Sequence, residues 1–171
     1  MTSTEIRNEL LQDPAAIGYA PHISAGSNGN LVSLLNAKSY PAKRRVPIAE
    51  ISSLAFRRNL MTRIEDAAGY YGNPTATGIV NAVARNTIRL LEPNSRLTSV
   101  DTSDAAFVGV MDVLEQSNLL TTYNQDGTVA VDGATNRLDF DALADTTFSR
   151  AEVLWGEGTF ITIDQIREAL S

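Results

Sequence analysis

The chain has 171 residues, of which 43% are hydrophobic and 20% charged, and its formal net charge is −6. This composition predicts one folded globular protein and argues against a disordered chain or general nucleic-acid binding. Because there is no cysteine, disulfides, thiolate nucleophiles and cysteine-based metal sites are excluded. No apolar run is long enough to cross a bilayer and the first residues lack a signal-peptide pattern, so we expect an intracellular site of synthesis and no membrane contact.

The first 36 residues predict two short amphipathic helices joined by a loop. Thr2 and Glu5 form the pattern of a capping box, and Asp13-Pro14 ends the helix that they begin. Leucines 31, 34 and 35 then lie on one face of the second helix. The loop holds His22, the only histidine, which we expect to be a loop or packing residue, since one histidine without cysteine cannot form a His-rich zinc site.

Four more helices are predicted in the middle of the chain. Pro47 suits the first turn of one helix, and a second helix follows Asn59. Pro74 suits the first turn of the third. The fourth lies in "DTSDAAFVGVMDVLEQSN", where Thr102 or Ser103 is the predicted cap and the apolar residues recur at helical spacing.

Beyond residue 120 the apolar spacing changes from helical to alternating. Asp126-Gly127 is a hairpin-turn sequence between short β-prone runs, and Asp132-Gly133 with Asn136 offers a second turn. These turns predict a small antiparallel β-hairpin or three-strand meander, inserted at residues 121–147. The last residues predict a short helix, a glycine-rich turn around Trp155, a strand or extended piece at "TFITI" and a final helix.

The predicted fold class is therefore mainly α. We expect one compact multi-helix domain over residues 1–171, with the small antiparallel β-hairpin or meander insertion near residues 120–140. A division into two domains near residue 120 is the alternative.

Charge is unevenly distributed along the chain. Residues 38–63 carry seven basic side chains and one acidic one, a net +6, whereas residues 101–171 carry 13 acidic and three basic ones, a net −10. This segregation suits contacts between copies or with neighbouring proteins, and the alternative is that the basic groups are spread over solvated helix surfaces. The basic segment could also engage phosphates, but no aromatic interleaving or reading helix accompanies it, so we favour a protein contact over nucleic acid. The candidate interface residues are Lys43, Arg44, Arg45, Arg57, Arg58 and Trp155.

No stretch carries a recognised catalytic, nucleotide or metal motif. "NQDGTVAVDG" lacks the acidic spacing and closing glutamate of an EF-hand, and the "GEG" and "GYYGN" stretches lack a phosphate-loop lysine. Asp139 and Asp141 are predicted on one face of a strand, which is more often solvated than catalytic. We therefore expect no enzyme activity, no catalytic residue, no cofactor and no bound metal.

Four segments are characteristic as a set: "LLQDPAAIGYAPHISAGSNGNLVSLLNA", "VPIAEISSLAFRRNLMTRIEDAA", "DTSDAAFVGVMDVLEQSNLL" and "SRAEVLWGEGTFITIDQIREAL". In this order they resemble a group of small, mostly uncharacterised proteins encoded by tailed bacteriophages. Those proteins share a "DPxxxGYA" start with a following "LLN", a "VP" helix, a "DTSD" helix and an "SRAE" element with glycines near the end. Residues 121–147 depart from the pattern.

The resemblance implies a phage or prophage origin and a place among virion or virion-assembly proteins, and it carries over no catalytic residues. We expect a non-enzymatic structural or adaptor component of the particle, in the tail or the head-to-tail connection, made in the host cytoplasm and retained in the virion. Its expected partners are other phage structural proteins, with the protein itself a homo-oligomer or present in several copies. One alternative is a soluble phage-encoded accessory or assembly factor that is absent from the virion, and another is a small hydrolase that uses His22.

Overall fold

Helices dominate the chain. The computed structural model describes residues 1–92 and 95–171, and these residues form ten helices and six short strands. The helices are α1 (Ser3–Gln12), α2 (Ala20–Ser24), α3 (Asn28–Asn36), α4 (Ile48–Arg57), α5 (Met61–Ala68), α6 (Gly78–Leu91), α7 (Ala105–Gln116), α8 (Gly133–Ala142), α9 (Arg150–Trp155) and α10 (Ile163–Leu170). The strands are β1 (Lys38–Lys43), β2 (Val46–Pro47), β3 (Ser99–Val100), β4 (Thr122–Tyr123), β5 (Val129–Val131) and β6 (Asp145–Ser149). The predicted mainly α class with a small hairpin is confirmed.

The strands form three sheets of two strands each, which pair β1 with β6, β2 with β3 and β4 with β5. The longest of the described helices, α6, has 14 residues. In the two described ranges, no helix combines the length and the apolar composition that a membrane span requires.

Contacts between residues divide the chain into two compact units. Unit 1 comprises residues 1–42 and 146–171, and unit 2 comprises residues 43–145. Unit 1 is therefore built from the two ends of the chain, and unit 2 from its middle. The single domain over residues 1–171 stays a prediction.

Unit 1 has its own apolar core, in which α1 packs against α10 and α3 packs against both α9 and α10. Its fully or nearly buried side chains are Ile6, Leu10, Tyr19, Leu31, Leu35, Ala151, Ile161, Ile166 and Ala169. The predicted capping box begins α1: Glu5 N donates to Thr2 Oγ1 at 3.3 Å, and Thr2 N donates to Glu5 Oε2 at 2.6 Å. The helix ends at Gln12, as the following Asp13-Pro14 predicts.

Unit 2 is built around the buried faces of α4 to α8. The predicted stripe of α4 is confirmed, since Ile48, Ile51, Leu54 and Ala55 are its buried residues. Asn59 lies between α4 and α5 with a positive φ of 53°, which ends the first helix before the second begins.

Three helix starts differ from their predictions. Pro47 is the residue before α4, its N-cap, and does not lie in its first turn. The helix expected at Pro74 begins instead at Gly78, because Pro74 belongs to the tight turn after α5, where Thr75 N donates to Asp66 O at 2.9 Å. The cap of α7 is Asp104, whose Oδ1 accepts from Ala106 N at 2.8 Å. Ser103 precedes the cap, and its N–H and hydroxyl both donate to Asp101 Oδ1.

The predicted hairpin is confirmed at its first turn. β4 and β5 pair antiparallel, with Thr122 opposite Val131. Between them, Asp126 Oδ1 accepts from Thr128 N at 2.9 Å and from Thr128 Oγ1 at 2.6 Å, and Gly127 takes the positive φ of 82° that the turn requires.

The predicted second turn is wrong, and with it the three-strand meander. Asp132 is the N-cap of α8, where its Oδ1 accepts from Thr135 N at 2.7 Å. Asn136 and Phe140, four positions apart, form the buried face of that helix. The prediction that Asp139 and Asp141 lie on a strand is therefore also wrong, because both residues belong to α8.

Candidate functional site

In unit 1, the carboxylate of Asp13 organises the loop after α1. It accepts hydrogen bonds from the backbone N–H groups of Ile17 at 2.7 Å, Gly18 at 2.7 Å and Tyr19 at 3.3 Å. Burial by itself would raise the pKa of Asp13, but these three bonds and the nearby Arg150 charge hold the pKa below its ordinary value. Gly18 has a φ of 93°, a conformation that favours glycine. Both the Asp and the Gly of "DPxxxGYA" thus have a structural role in one turn.

A buried ion pair lies next to that turn. Arg150 Nε donates to Glu9 Oε1 at 2.8 Å and Arg150 Nη2 donates to Glu9 Oε2 at 3.0 Å, while the two side chains are only 13% and 5% exposed. Tyr19, which is fully buried, donates its hydroxyl to Glu9 Oε1 at 3.4 Å. The bond to Glu9 raises the pKa of Arg150, and burial raises that of Tyr19. At neutral pH the guanidinium therefore stays charged and the phenol neutral.

The "SRAE" residues form a second polar cluster. Ser149 caps α9, with Glu152 N donating to Ser149 Oγ at 3.2 Å and Ser149 N donating to Glu152 Oε2 at 2.8 Å. Glu152 Oε1 also accepts from Lys38 Nζ at 3.1 Å and from Gly158 N at 3.2 Å. The bond from Ser149 N, followed by that from Lys38, lowers the pKa of Glu152 to about 2. The Glu152 carboxylate is thus ionised at neutral pH, and both of its oxygens accept hydrogen bonds.

Asn36, the last letter of "LLN", connects α3 to the segment before α10. Its Nδ2 donates to Ile161 O at 2.8 Å, and its Oδ1 accepts from Ile161 N at 2.9 Å. These two bonds occupy the backbone groups that a strand partner would use, and residues 159–162 form no strand. Of the two predictions for "TFITI", the strand is wrong.

We call these unit 1 residues the motif network: Glu9, Asp13, Tyr19, Asn36, Arg150 and Glu152. All except Glu9, which precedes the first quoted segment by one position, belong to the segments that carry the resemblance. The network could not be predicted from the sequence because its bonds join positions up to 141 residues apart. The sequence feature that could have indicated part of it is the Asp13-Pro14 pair followed by Gly18, which is typical of a turn.

The prediction that His22 lies in a loop is wrong, because the residue belongs to α2. Its ring is half-buried, and its Nδ1 is 3.3 Å from Asn30 Nδ2. Within residues 1–92 and 95–171, no three His, Asp or Glu side chains are grouped so that they could hold a metal ion.

Most candidate interface cations are bound within unit 2. Arg44 makes a bidentate pair with Glu50, at 3.1 Å and 2.5 Å. Lys43 pairs with Asp145, and Arg58 pairs with Asp139. Arg45 donates to Ser99 through Nε and Nη2, at 3.2 Å to the hydroxyl and 3.1 Å to the carbonyl. Two of these contacts join the basic segment 38–63 to the acidic segment 101–171 inside one chain.

The remaining two candidates differ from each other. Arg57 is exposed at the end of α4, and we find no ion pair or hydrogen bond from its guanidinium to the part of the chain that the structure describes. Trp155 is half-buried and packs against the unit 1 core. Arg57 is therefore the best placed of the predicted residues for an outside contact, whereas Trp155 serves the local fold.

Unit 2 also contains an apolar cavity of about 400 Å³. Its inner wall consists of buried core side chains, including Ile51, Ala55, Ile64, Met111, Leu114 and Phe140. Half-buried Phe107 and Val110 of α7 and exposed Leu97 lie nearer the solvent. The cavity is partly open to solvent, so part of its apolar wall is in contact with water. The cavity is therefore the concave feature of unit 2 best suited to a ligand.

The polar side chains at the edge of the cavity are bonded locally. Arg45 donates to Ser99, Asp104 caps α7, and Thr87 Oγ1 donates to Val83 O at 2.9 Å. Asp101 accepts from Ser103, and this bond holds the pKa of Asp101 below its ordinary value. The lining thus presents hydrocarbon and few polar groups in need of a partner.

In the comparisons with known proteins, no family model matches the chain, and neither does any curated protein or solved structure.

Proposed function

We propose that this protein is a non-enzymatic structural or adaptor component of a tailed bacteriophage particle, in the tail or the head-to-tail connection. In this proposal it is present in several copies and acts through contacts with other phage structural proteins. The proposal originates in the resemblance of four sequence segments to phage-encoded proteins. The observation that carries it is the motif network of unit 1.

The motif network supports the proposal because the shared letters have structural roles in unit 1. Asp13 and Gly18 form one turn, Asn36 bonds Ile161, and Glu152 bonds Lys38. The bonds between Asn36 and Ile161 join the first and the last of the four segments. We therefore propose that these segments form one folded unit in the phage-encoded proteins as well.

The surface of unit 2 offers a contact of the kind that the proposal needs. Phe56 is 79% exposed, and Arg57 beside it is exposed as well. Aromatic side chains and arginine are enriched at the centres of protein interfaces. Single exposed apolar residues are common on protein surfaces. The informative feature is the combination of Phe56 with an arginine that has no ion-pair partner among the described residues.

Quantitative mass spectrometry of gradient-purified particles from the source phage, beside the soluble fraction of the infected lysate, tests the proposal. We expect a constant ratio of this protein to the major capsid protein across the particle fractions. A soluble phage enzyme, which should be depleted from the same fractions, is the matched control. Depletion of this protein together with that enzyme would contradict the proposal and favour the accessory or assembly factor.

A further inference from the structure

We propose that the apolar cavity of unit 2 is a binding site for a small uncharged apolar molecule, an alkyl chain or an aromatic ring system. This inference does not depend on the proposed function, since it rests on the cavity alone. Three observations support it: the size of the cavity, the apolar chemistry of its walls, and the hydrogen bonds that the polar groups at its edge already make.

The size and the enclosure fit a ligand. The volume of about 400 Å³ lies within the range of small-molecule sites, which is roughly 300–1,000 Å³. Five helices line it: Ile51 is on α4, Ile64 on α5, Leu90 on α6, Met111 on α7 and Phe140 on α8. Because the lining residues come from several sides, a bound molecule would contact protein over most of its surface, as ligands in such sites do.

The walls select for hydrocarbon. Buried aliphatic and aromatic side chains contact a ligand by dispersion, and removing its apolar surface from water supplies the driving force. The sulfur of Met111 and the ring of Phe140 add polarisable groups that suit an aromatic or alkyl ligand. A charged group in this volume would lose its hydration without gaining a partner.

The polar groups at the edge of the cavity also favour an uncharged ligand. Arg45 is bonded to Ser99, Asp101 to Ser103 and Asp104 to the backbone of α7. A ligand with a carboxylate or an ammonium group would have to compete with these bonds. An uncharged molecule avoids that competition, and we therefore commit to the uncharged class.

The test uses the full chain and the uncharged fluorophore N-phenyl-1-naphthylamine as the probe. We expect saturable binding of one probe molecule per chain, with competition by 1-decanol. Decanoate and decyltrimethylammonium, used below their micellar concentrations, should compete about tenfold less well, because their charges are not matched in the cavity. Absence of saturable probe binding would overturn the proposal. Equal competition by 1-decanol, decanoate and decyltrimethylammonium would overturn it as well.

A pair of neighbouring alanines supplies the matched variants. Ala105 and Ala106 are both exposed in the first turn of α7, but of the two only Ala106 lines the cavity. Ala106→Trp should weaken probe binding about tenfold, whereas Ala105→Trp should change it by less than about twofold. Circular dichroism confirms that both variants fold. Equal effects of the two substitutions would place the probe elsewhere on the surface and refute the assignment.

Discussion

Arg150 and Glu9, 141 positions apart in the chain, form a buried bidentate ion pair with bond lengths of 2.8 Å and 3.0 Å. The pair connects the first helix of unit 1 to the helix that "SRAE" begins. Since its partners come from opposite ends of the sequence, it forms only when both ends of the chain have folded together. Its geometry leads to the first prediction.

Arg150→Met should lower the free energy of unfolding by about 3–5 kcal/mol, because it leaves the Glu9 carboxylate buried without a counter-charge. Adding Glu9→Gln in the same chain should recover most of that loss, since the amide is uncharged and its oxygen can still accept from Tyr19. Urea unfolding followed by circular dichroism measures both. Arg167→Met, which removes an ion pair on the exposed surface of α10, is the control and should have no measurable effect. A double variant no more stable than Arg150→Met would contradict the ion-pair account.

The pKa of Glu152 predicts how the stability of unit 1 depends on pH. Its pKa is lowered from 4.5 to about 2 in the folded protein, so its contribution is fully present above pH 4.5 and is lost as the pH falls through the folded pKa. We expect wild type to be more stable than Glu152→Gln at pH 7, with the difference shrinking between pH 4.5 and pH 2. Denaturant unfolding of both proteins at several pH values measures this. Glu157→Gln, which alters an exposed carboxylate nearby in the sequence, controls for net charge. A difference that persists unchanged to pH 2 would show that the carboxylate charge is not what stabilises the site.

Arg44 and Arg57 should respond differently to charge reversal. Arg44→Glu places a carboxylate against Glu50 and should lower the melting temperature by about 2–4 °C, whereas Arg57→Glu should leave it unchanged. Under the proposed function, Arg57→Glu should reduce incorporation of the protein into particles. Arg89→Glu, an exposed reversal on α6, is the matched control. Normal incorporation of Arg57→Glu would remove Arg57 from the contact surface.

Ala55 and Ala84 form a matched pair for the cavity. Both are buried in helices of unit 2, but of the two only Ala55 lines the cavity. Ala55→Leu should leave the free energy of unfolding within about 0.5 kcal/mol of wild type, while Ala84→Leu should lower it by about 1–3 kcal/mol through overpacking. Equal losses in the two variants would show that the space beside Ala55 is not available to a larger side chain.

The cap of α8 can be tested in the same way. Asp132→Ala should lower the melting temperature by about 2–4 °C, whereas Asp132→Asn should retain most of the stability because asparagine is an equally good cap. Thermal unfolding monitored by circular dichroism measures both. Equal behaviour of the two variants would argue that the carboxylate oxygen does not cap the helix.

Local features of this fold could be predicted from the sequence, and distant ones could not. The capping box of Thr2 and Glu5, the stripe of α4 and the turn at Asp126-Gly127 each depend on residues a few positions apart. The Asp132-Gly133 pair was read as a turn because the same two residues suit a turn and a helix start. The structure decides between them, since Asn136 and Phe140, four positions apart, form the buried face of a helix.

The candidate site was less accessible to sequence reasoning. The cations of segment 38–63 stood out by their density, but their partners Glu50, Ser99, Asp139 and Asp145 are identified only by the fold. Composition could not distinguish Arg57, which the described residues leave unpaired, from the cations beside it. The cavity leaves no sequence signal, because its wall residues are ordinary core residues of separate helices.

The division of unit 1 between the two ends of the chain has a consequence for biosynthesis. Residues 1–42 are synthesised before unit 2, but residues 146–171, which complete unit 1, are synthesised after it. Because residues 43–145 are continuous, all of unit 2 has been made before unit 1 is complete. The two units are therefore completed in the reverse of the order in which they begin.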